Sequence, residues 1–309
     1  MTPPDALLPV AAVIATYRRP VELARLFESL ALEGNRVARV VVVDNGNDES
    51  TRLLCMQAPF QAEWIPLPEN PGCGAAWQEG GKRVFSEVSH ILYLDDDVVL
   101  PSGFVQSLLS ATLAAGAEVS CPILKDRDGR IWAFPEPKIP ALRRSIRQAA
   151  TPEECLLRLG EGPHEFVWCA GACILVSRHA TETSGFHRGD FRILGEDLEY
   201  SLRLSDRHRC VFFPKLVAGH LSPPRPPGDT RTAHRAKFAC LLRNLSYLSF
   251  HIPHRAHLRR YLPGNFRRFF RTFGLSSATL AVALKCFWLG AVRGSPAGET
   301  QMAQGKGRQ

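Results

Sequence analysis

The run Ile91-Leu92-Tyr93-Leu94-Asp95-Asp96-Asp97-Val98 decides how the rest of the chain is read. An apolar stretch ending at once in three carboxylates predicts a buried strand whose acids sit where the chain leaves a sheet. Two carboxylates about 4 Å apart repel by roughly 4 kcal/mol at an effective dielectric near 20. Such a cluster persists only where solvent, basic side chains or a cation relieves it. One reading is a divalent-cation site at the end of a central strand. The other is a solvated acidic turn.

Working outward, VAAVIAT (10–16), RVVVVD (39–44) and residues 62–67 are further short apolar runs that predict buried strands, and 118–124 is another. Between them lie helical patterns. Leu23, Leu26, Phe27 and Leu30 share one helical face, and Asp48 or Ser50 is placed to cap a short helix. Residues 75–87 predict a helix, as do 104–115 after Pro101. Strand and helix alternate, which predicts an α/β fold with a mostly parallel sheet and helices on both faces. Such sheets bind ligands beyond the carboxyl ends of their strands. Thr16, Asp44, Asn70 and Asp95–Asp97 all fall there, so four unrelated polar groups converge on one edge. No GxGxxG follows the first strand and no GxxxxGK[ST] occurs, which disfavours a dinucleotide fold and excludes a P-loop.

Beyond Leu124 the pattern loosens. Residues 126–129 form a hairpin-like turn, and 135–165 read as a mobile or partly helical insertion. Residues 166–176 read as a strand pair, or as one strand bent at Gly171. After a loop at 185–193, GEDLEY (195–200) opens a helix with acids in its first turn. The helix dipole favours them there, and that suffices for Glu199. A strand at 210–214 and the segment 217–220 follow. Residues 223–229 are a Pro-rich linker, 232–250 a basic helix, and 266–292 mix Arg267, Arg268 and Arg271 with Phe266, Phe269, Phe270 and Phe273. The longest uncharged run there, 272–284, has thirteen residues, short of the about 20 that span a bilayer. It either lies in a membrane interface or packs on the main domain. The tail from Gly294 reads as disordered.

A length of 309 residues allows one large domain or two ordinary ones, and the 22% charged content fits a soluble globular chain. Nine cysteines without a CxxC pair point to reduced thiols in a cytoplasmic protein rather than zinc ligands. The N-terminus lacks the pattern of a signal peptide. The net charge of +8 conceals an asymmetry: residues 207–309 hold 18 Lys and Arg against two acids, whereas 1–206 hold 20 against 28. A basic arm of this kind predicts an anionic partner, whether membrane surface, nucleic acid or phosphorylated substrate.

Taken in order, VIATYRRP, VVVDNGNDEST, LPENPGCGAAWQEG, ILYLDDDVVLP, GEDLEYSLRL and His220 resemble the inverting family 2 glycosyltransferases of GT-A fold, over residues 10–222. The Asp triplet, GEDLEY and His220 resemble most the galactofuranosyl- and rhamnosyltransferase branch, and Arg243-Asn244 resembles a pair found beyond the core of some members. The resemblance implies transfer of a hexosyl or deoxyhexosyl group from a nucleotide diphosphate sugar to a glycan or lipid-linked acceptor, in cell-surface polysaccharide biosynthesis. It places Thr16 and Arg18 beside the nucleotide, Asp44 at the base, and Asn70 and Gly72 along the pocket. Asp95 and Asp97, with His220, would hold Mn²⁺ or Mg²⁺ and the diphosphate, with Asp96 among the substrate-binding groups. Trp168 would border a sugar, Glu196 would bind acceptor hydroxyls, and Asp197 would be the catalytic base. Ala75 and Ala76 stand where many relatives have glycines.

The implied organisation is a nucleotide-sugar-binding half (1–124), an acceptor-binding and catalytic half (125–222), a basic helical C-terminal extension (223–293) and a disordered tail (294–309). The implied setting is cytoplasmic, peripheral on the inner face of the cell membrane, with an anionic membrane surface as partner and no nucleic acid. Two other readings compete. A sugar-nucleotide pyrophosphorylase would want a Gly-rich basic turn after the first strand, where TYRRP has no glycine. A non-catalytic membrane or nucleic-acid adaptor would explain the basic arm but leave the converging acids unused.

Overall fold

The computed structural model describes residues 8–222, 231–252 and 256–294. The Pro-rich linker and the tail beyond Gly294 lie outside them. The chain divides into two compact units. The first comprises Met1–Asn70, Ala76–His187 and Tyr200–Pro224, and the second Pro71–Ala75, Arg188–Glu199 and Arg225–Gln309.

The first unit is built on one sheet. Its strands are β1 (Leu8–Thr16), β2 (Val37–Asp44), β3 (Ala62–Pro66), β4 (Val88–Asp95), β5 (Val98–Val99), β6 (Val119–Lys125), β7 (Ile131–Ala133), β8 (Glu136–Pro137), β9 (His164–Trp168), β10 (Cys173–Ser177) and β11 (Cys210–His220). They run in the order β3-β2-β1-β4-β10-β6-β11-β9-β8. The first four are mutually parallel, β10 is antiparallel to both its neighbours, and β6 and β11 are again parallel.

Strands β1 and β4 carry unbroken apolar runs, 10–15 and 91–94, because both faces of the sheet are covered there. Ala12, Ile14, Leu92 and Leu94 pack with Leu23, Leu26 and Phe27 of α1 (Pro20–Ala31) on one side. Helix α2 (Glu49–Gln57) is capped by Asp48, which accepts from the Thr51 amide at 3.1 Å. On the opposite face α3 (Cys73–Val84) comes so close that a Cβ on Gly80 would lie 2.4 Å from Val13 Cγ1. Helix α4 (Phe104–Ala114) buries Phe104 and Leu108 in the same core as α1.

The loosely patterned region is more ordered than its sequence suggests. It holds β7, β8 and two short helices, α5 (Pro140–Arg147) and α6 (Pro152–Leu159), each started by a proline. Residues 166–176 belong to two strands rather than one bent at Gly171. Strand β9 joins β11 and β10 joins β4 and β6, so the two segments are not paired with each other. Helices α7 (Arg178–Ser184) and α8 (Glu196–Ser205) follow, and β11 continues as a single irregular strand to His220.

The second unit is helical. It contains α9 (Arg231–His251), a 3-10 stretch (Ala256–Tyr261), α10 (Leu262–Phe273) and α11 (Ser277–Phe287), which continues as a π turn (Trp288–Val292). Its core is Phe238, Leu242, Phe269, Phe273, Ala283 and Cys286. Gly290 is required by close approach: a Cβ there would lie 2.3 Å from the Arg243 carbonyl. Gly72, at φ +103°, has the Arg192 carbonyl where a Cβ would stand, and the Cys73 amide donates to that carbonyl at 2.9 Å. Asn244 Nδ2 donates to the carbonyls of Ile193 and Leu194 at 3.3 and 3.0 Å, fixing the approach to α8. Among the described residues, no helix is long and apolar enough to cross a membrane.

Candidate metal and nucleotide site

The Asp triplet sits at the carboxyl end of β4, and the two-residue strand after it decides what it meets. Strand β5 pairs antiparallel with the end of β11, setting Val98 opposite His220. The Leu221 amide donates to the Asp97 carbonyl at 2.8 Å, and Arg127 ties down the Leu221 carbonyl at 2.8 Å. His220, distant in sequence, is thereby delivered to the acids. Its Nε2 lies 3.2 Å from Asp97 Oδ1 and 3.8 Å from Asp95 Oδ2. One ligand atom from each of the three falls within 4.8 Å of the others.

The three acids are used differently. Asp96 is buried, with Thr16 Oγ1 donating to Oδ2 and Arg19 Nη1 to Oδ1, both at 2.8 Å. Burial pushes its carboxyl up to about 7, against the pull of Arg19 and with the push of Asp97 and Asp95. Arg19 Nη2 donates to Asp97 Oδ2 at 2.8 Å, so one guanidinium spans two neighbouring carboxylates. Burial works to lower the Arg19 pKa, but the two acids outweigh it and the pKa is raised. Asp97 Oδ1 is buried, has no hydrogen-bond partner among the described residues, and faces the imidazole. Asp95 remains partly open to solvent.

A buried carboxylate oxygen without a donor is costly unless a ligand satisfies it. Two carboxylates and an imidazole form a donor set suited to a divalent ion such as Mn²⁺. His220 is prepared for that role, since its Nδ1 shares a hydrogen bond of 3.0 Å with Ser222 Oγ and Nε2 is left toward the acids. Trp132 of β7 stacks on the ring at 3.7 Å between centroids, 14° from parallel. The hairpin turn 126–129 exists as expected, closed by a 2.8 Å bond from the Asp126 amide to the Arg130 carbonyl, and it carries Trp132 there.

The other expected residues fall as follows. Asp44 ends β2 fully buried, with Oδ1 accepting from the Gly46 amide at 2.7 Å and Oδ2 from the Asp48 amide at 2.7 Å and Trp64 Nε1 at 3.2 Å. Arg18 is exposed at φ +53° and lies over that turn, since a Cβ on Gly46 would be 2.9 Å from its Cγ. Asn70 is half-buried in the loop after β3. Trp168 ends β9, half-buried and in register with Glu136. Gly72, Glu196 and Asp197 belong to the second unit. There Glu196 is buried, and Asp197 Oδ1 accepts from the Leu198 amide at 2.7 Å. Arg19, Trp132 and Ser222 were not singled out by the sequence. TYRRP offers two adjacent arginines with no sign of which turns inward, and Trp132 is placed by a three-residue strand.

The sequence matches Glycosyl transferase family 2 over residues 11–181. No curated protein sequence matches it. Among solved structures, GalNAc-T7 with UDP, GalNAc and Mn²⁺ is similar at a TM-score of 0.58 and 14% identity, covering 93% of this chain and 56% of that one. S. aureus TarS 1–349 gives 0.57 and 14% identity over 92% and 81% of the two chains, and its complex with UDP gives 0.55 and 14% identity over 90% and 75%. The chain thus spans about half the length of GalNAc-T7, and 43% of the longer TarS chain. At such identity these neighbours establish the GT-A architecture, and the match across more than half of the sequence establishes descent: the chain belongs to glycosyl transferase family 2.

Proposed function

We propose that the protein is a metal-dependent, inverting glycosyltransferase that moves a sugar from a nucleotide diphosphate sugar to a glycan or lipid-linked acceptor. The observation that carries this is the meeting of Asp95, Asp97 and His220 at the carboxyl edge of the sheet, with Asp97 Oδ1 left without a donor. Neighbours of the same fold support it, one solved with UDP, GalNAc and Mn²⁺ and another with UDP.

In this reading Asp95, Asp97 and His220 would hold the divalent ion. That ion supplies Lewis-acid stabilisation of the charge that develops on a departing diphosphate. Arg19 and Thr16 keep Asp96 fixed and the triplet in register. Thr16, Arg18 and the 44–48 turn shape the nucleoside side. Asp44 braces that turn through both its oxygens and lies at the base. By the family resemblance, Asn70 and Gly72 also serve the nucleotide, and Trp168 borders a sugar. Inversion requires the acceptor hydroxyl to attack opposite the diphosphate and give up its proton, and Asp197 takes it. Glu196 is adjacent, about 100° around the helix, and binds acceptor hydroxyls instead. The motif order favours a galactofuranosyl- or rhamnosyl-type donor.

Calorimetry with UDP tests the reading. UDP binding is expected to require Mn²⁺ or Mg²⁺ and to be lost in Asp97→Asn. UDP binding of equal strength without metal, or in Asp97→Asn, overturns it. A screen of nucleotide sugars for metal-dependent hydrolysis then identifies the donor.

A further inference from the structure

Helix α11 and its π turn carry the least ordinary surface of the second unit. Thr279, Ala283, Cys286 and Gly290 form the inner face, three to four residues apart, and are buried. The opposite face holds Leu280, Leu284, Phe287 and Trp288, with Val292 at its margin, all exposed; Leu284 is 60% open to solvent. From Leu280 to Val292 this stripe runs for about 18 Å. Single exposed apolar residues are ordinary, but a run of them on one helix face marks an interaction surface. The close fit of Gly290 to the Arg243 carbonyl fixes which face turns outward.

The flanks of the stripe are basic. Residues 231–294 contain twelve Lys and Arg and no Asp or Glu. Lys285 borders the stripe, and the Arg293 guanidinium lies 4.8 Å over the Trp288 ring. On α10, Arg267 and Arg271 are exposed one turn apart, beside an open apolar groove formed with Phe266, Phe270 and Leu275. Leu275 is 87% exposed. Phe266 and Phe287 are in edge contact at 6.2 Å, which joins the groove to the stripe.

We infer that this face docks on a bilayer surface containing anionic lipids, with Leu280, Leu284, Phe287, Trp288 and Leu275 entering the headgroup–acyl boundary and Arg267, Arg271, Lys285 and Arg293 meeting the headgroups. Leucines and aromatics on one face with a basic margin are the make-up of an interfacial helix, and each Lys or Arg adds to attraction toward an anionic leaflet. A second copy of the chain would bring two acid-free basic surfaces together, which Coulomb repulsion opposes. A nucleic acid would use the arginines but leave Leu280, Leu284 and Val292 without purpose. The docking stands apart from the transfer reaction: UDP binding with Mn²⁺ reports on the first unit whether or not this face binds lipid.

The full chain is sedimented with vesicles of phosphatidylcholine alone and of phosphatidylcholine mixed with phosphatidylglycerol, at low and high salt. Binding to the mixed vesicles at low salt is expected, weakened by salt and by omission of phosphatidylglycerol. Leu284→Glu, and separately the pair Arg267→Glu and Arg271→Glu, should each lower partitioning about tenfold or more. Far-UV circular dichroism and cooperative thermal unfolding serve as the check that each variant is folded, and if Leu284→Glu fails it, Leu280→Glu and the arginine pair read the same face. Absence of sedimentation with mixed vesicles at low salt overturns the inference. So does a stable dimer that Leu284→Glu dissociates, or binding to oligonucleotides in place of vesicles.

Discussion

Asp44 ends β2, and Asp97 follows β4 by two residues; these are the strands on either side of β1, and both carboxylates are closed off from solvent. They differ in what reaches them. The Asp44 oxygens take two backbone amides and an indole N–H, all from within 20 residues. Asp97 Oδ2 takes an arginine, while Oδ1 meets only an imidazole. Burial alone therefore does not distinguish a structural acid from a ligand-binding one. The donors do differ: both Asp44 oxygens are engaged, whereas Asp97 Oδ1 has no hydrogen-bond partner among the described residues.

If Asp97 binds the ion as proposed, another carboxylate moves the proton. Asp197→Asn is expected to cut transfer by about 100- to 10 000-fold at saturating donor and metal, with Mn²⁺ and nucleotide binding intact. Near-parental transfer would return the proton to the triplet. Glu196→Gln should mainly raise the acceptor KM.

Next in size are the two acids themselves. Asp44→Ala strands buried donors and should cost about 3 kcal/mol in urea unfolding, with or without Mn²⁺. Asp97→Asn relieves repulsion beside Asp95 and Asp96 and should cost little in the absence of metal, yet abolish the rise in Tm that Mn²⁺ gives the parent. Equal losses in the two variants would erase the distinction.

Arg19 gives a sharper version. Arg19→Met leaves Asp96 and Asp97 uncompensated; because the arginine is a third exposed, a loss of about 2 kcal/mol is expected, below the cost for a fully buried pair. Mn²⁺ should restore most of it. A loss that metal does not repair would mean that Arg19 acts through packing rather than charge.

The smallest effect concerns a buried group that avoids charge altogether. His187 is enclosed by Trp77, Tyr93 and Tyr200, neither ring nitrogen has a hydrogen-bond partner among the described residues, and burial holds its pKa well below the ordinary value. As pH falls below about 6.5 the unfolded chain takes up a proton that the native state refuses, so stability drops by up to about 1.4 kcal/mol per pH unit. His187→Phe should remove that component. His90, held near 4 by burial, contributes in the same direction, so the difference between parent and variant is what counts.

Much of this was legible in the sequence, and for identifiable reasons. Strands β1, β2 and β4 each contain an uninterrupted apolar run, at 10–15, 40–43 and 91–94, and the polar residues that end them could be placed before any fold was seen. Asp48 was one of two residues placed to cap α2, and it does so. What escaped were features set by few residues. Strand β5 has two residues and no pattern of its own, yet its pairing with β11 brings His220 to Asp97. Strands β9 and β10 are close in sequence but find different partners, because pairing follows the whole sheet. Gly72 and Gly74 lie against carbonyls of Arg188, Phe191 and Arg192 within the second unit, a close approach to partners more than a hundred residues away that local sequence does not reveal.

The indole of Trp132 lies flat on the His220 ring, 3.7 Å away and nearly half exposed. If the cluster takes Mn²⁺ as proposed, a paramagnetic ion beside this ring is expected to dim the indole emission more than diamagnetic Mg²⁺. Of the five tryptophans in the chain, this one would then be an intrinsic optical gauge of the carboxylate cluster. Its signal is isolated by subtracting the spectrum of Trp132→Phe, and ion exchange at the site becomes visible in real time without a label.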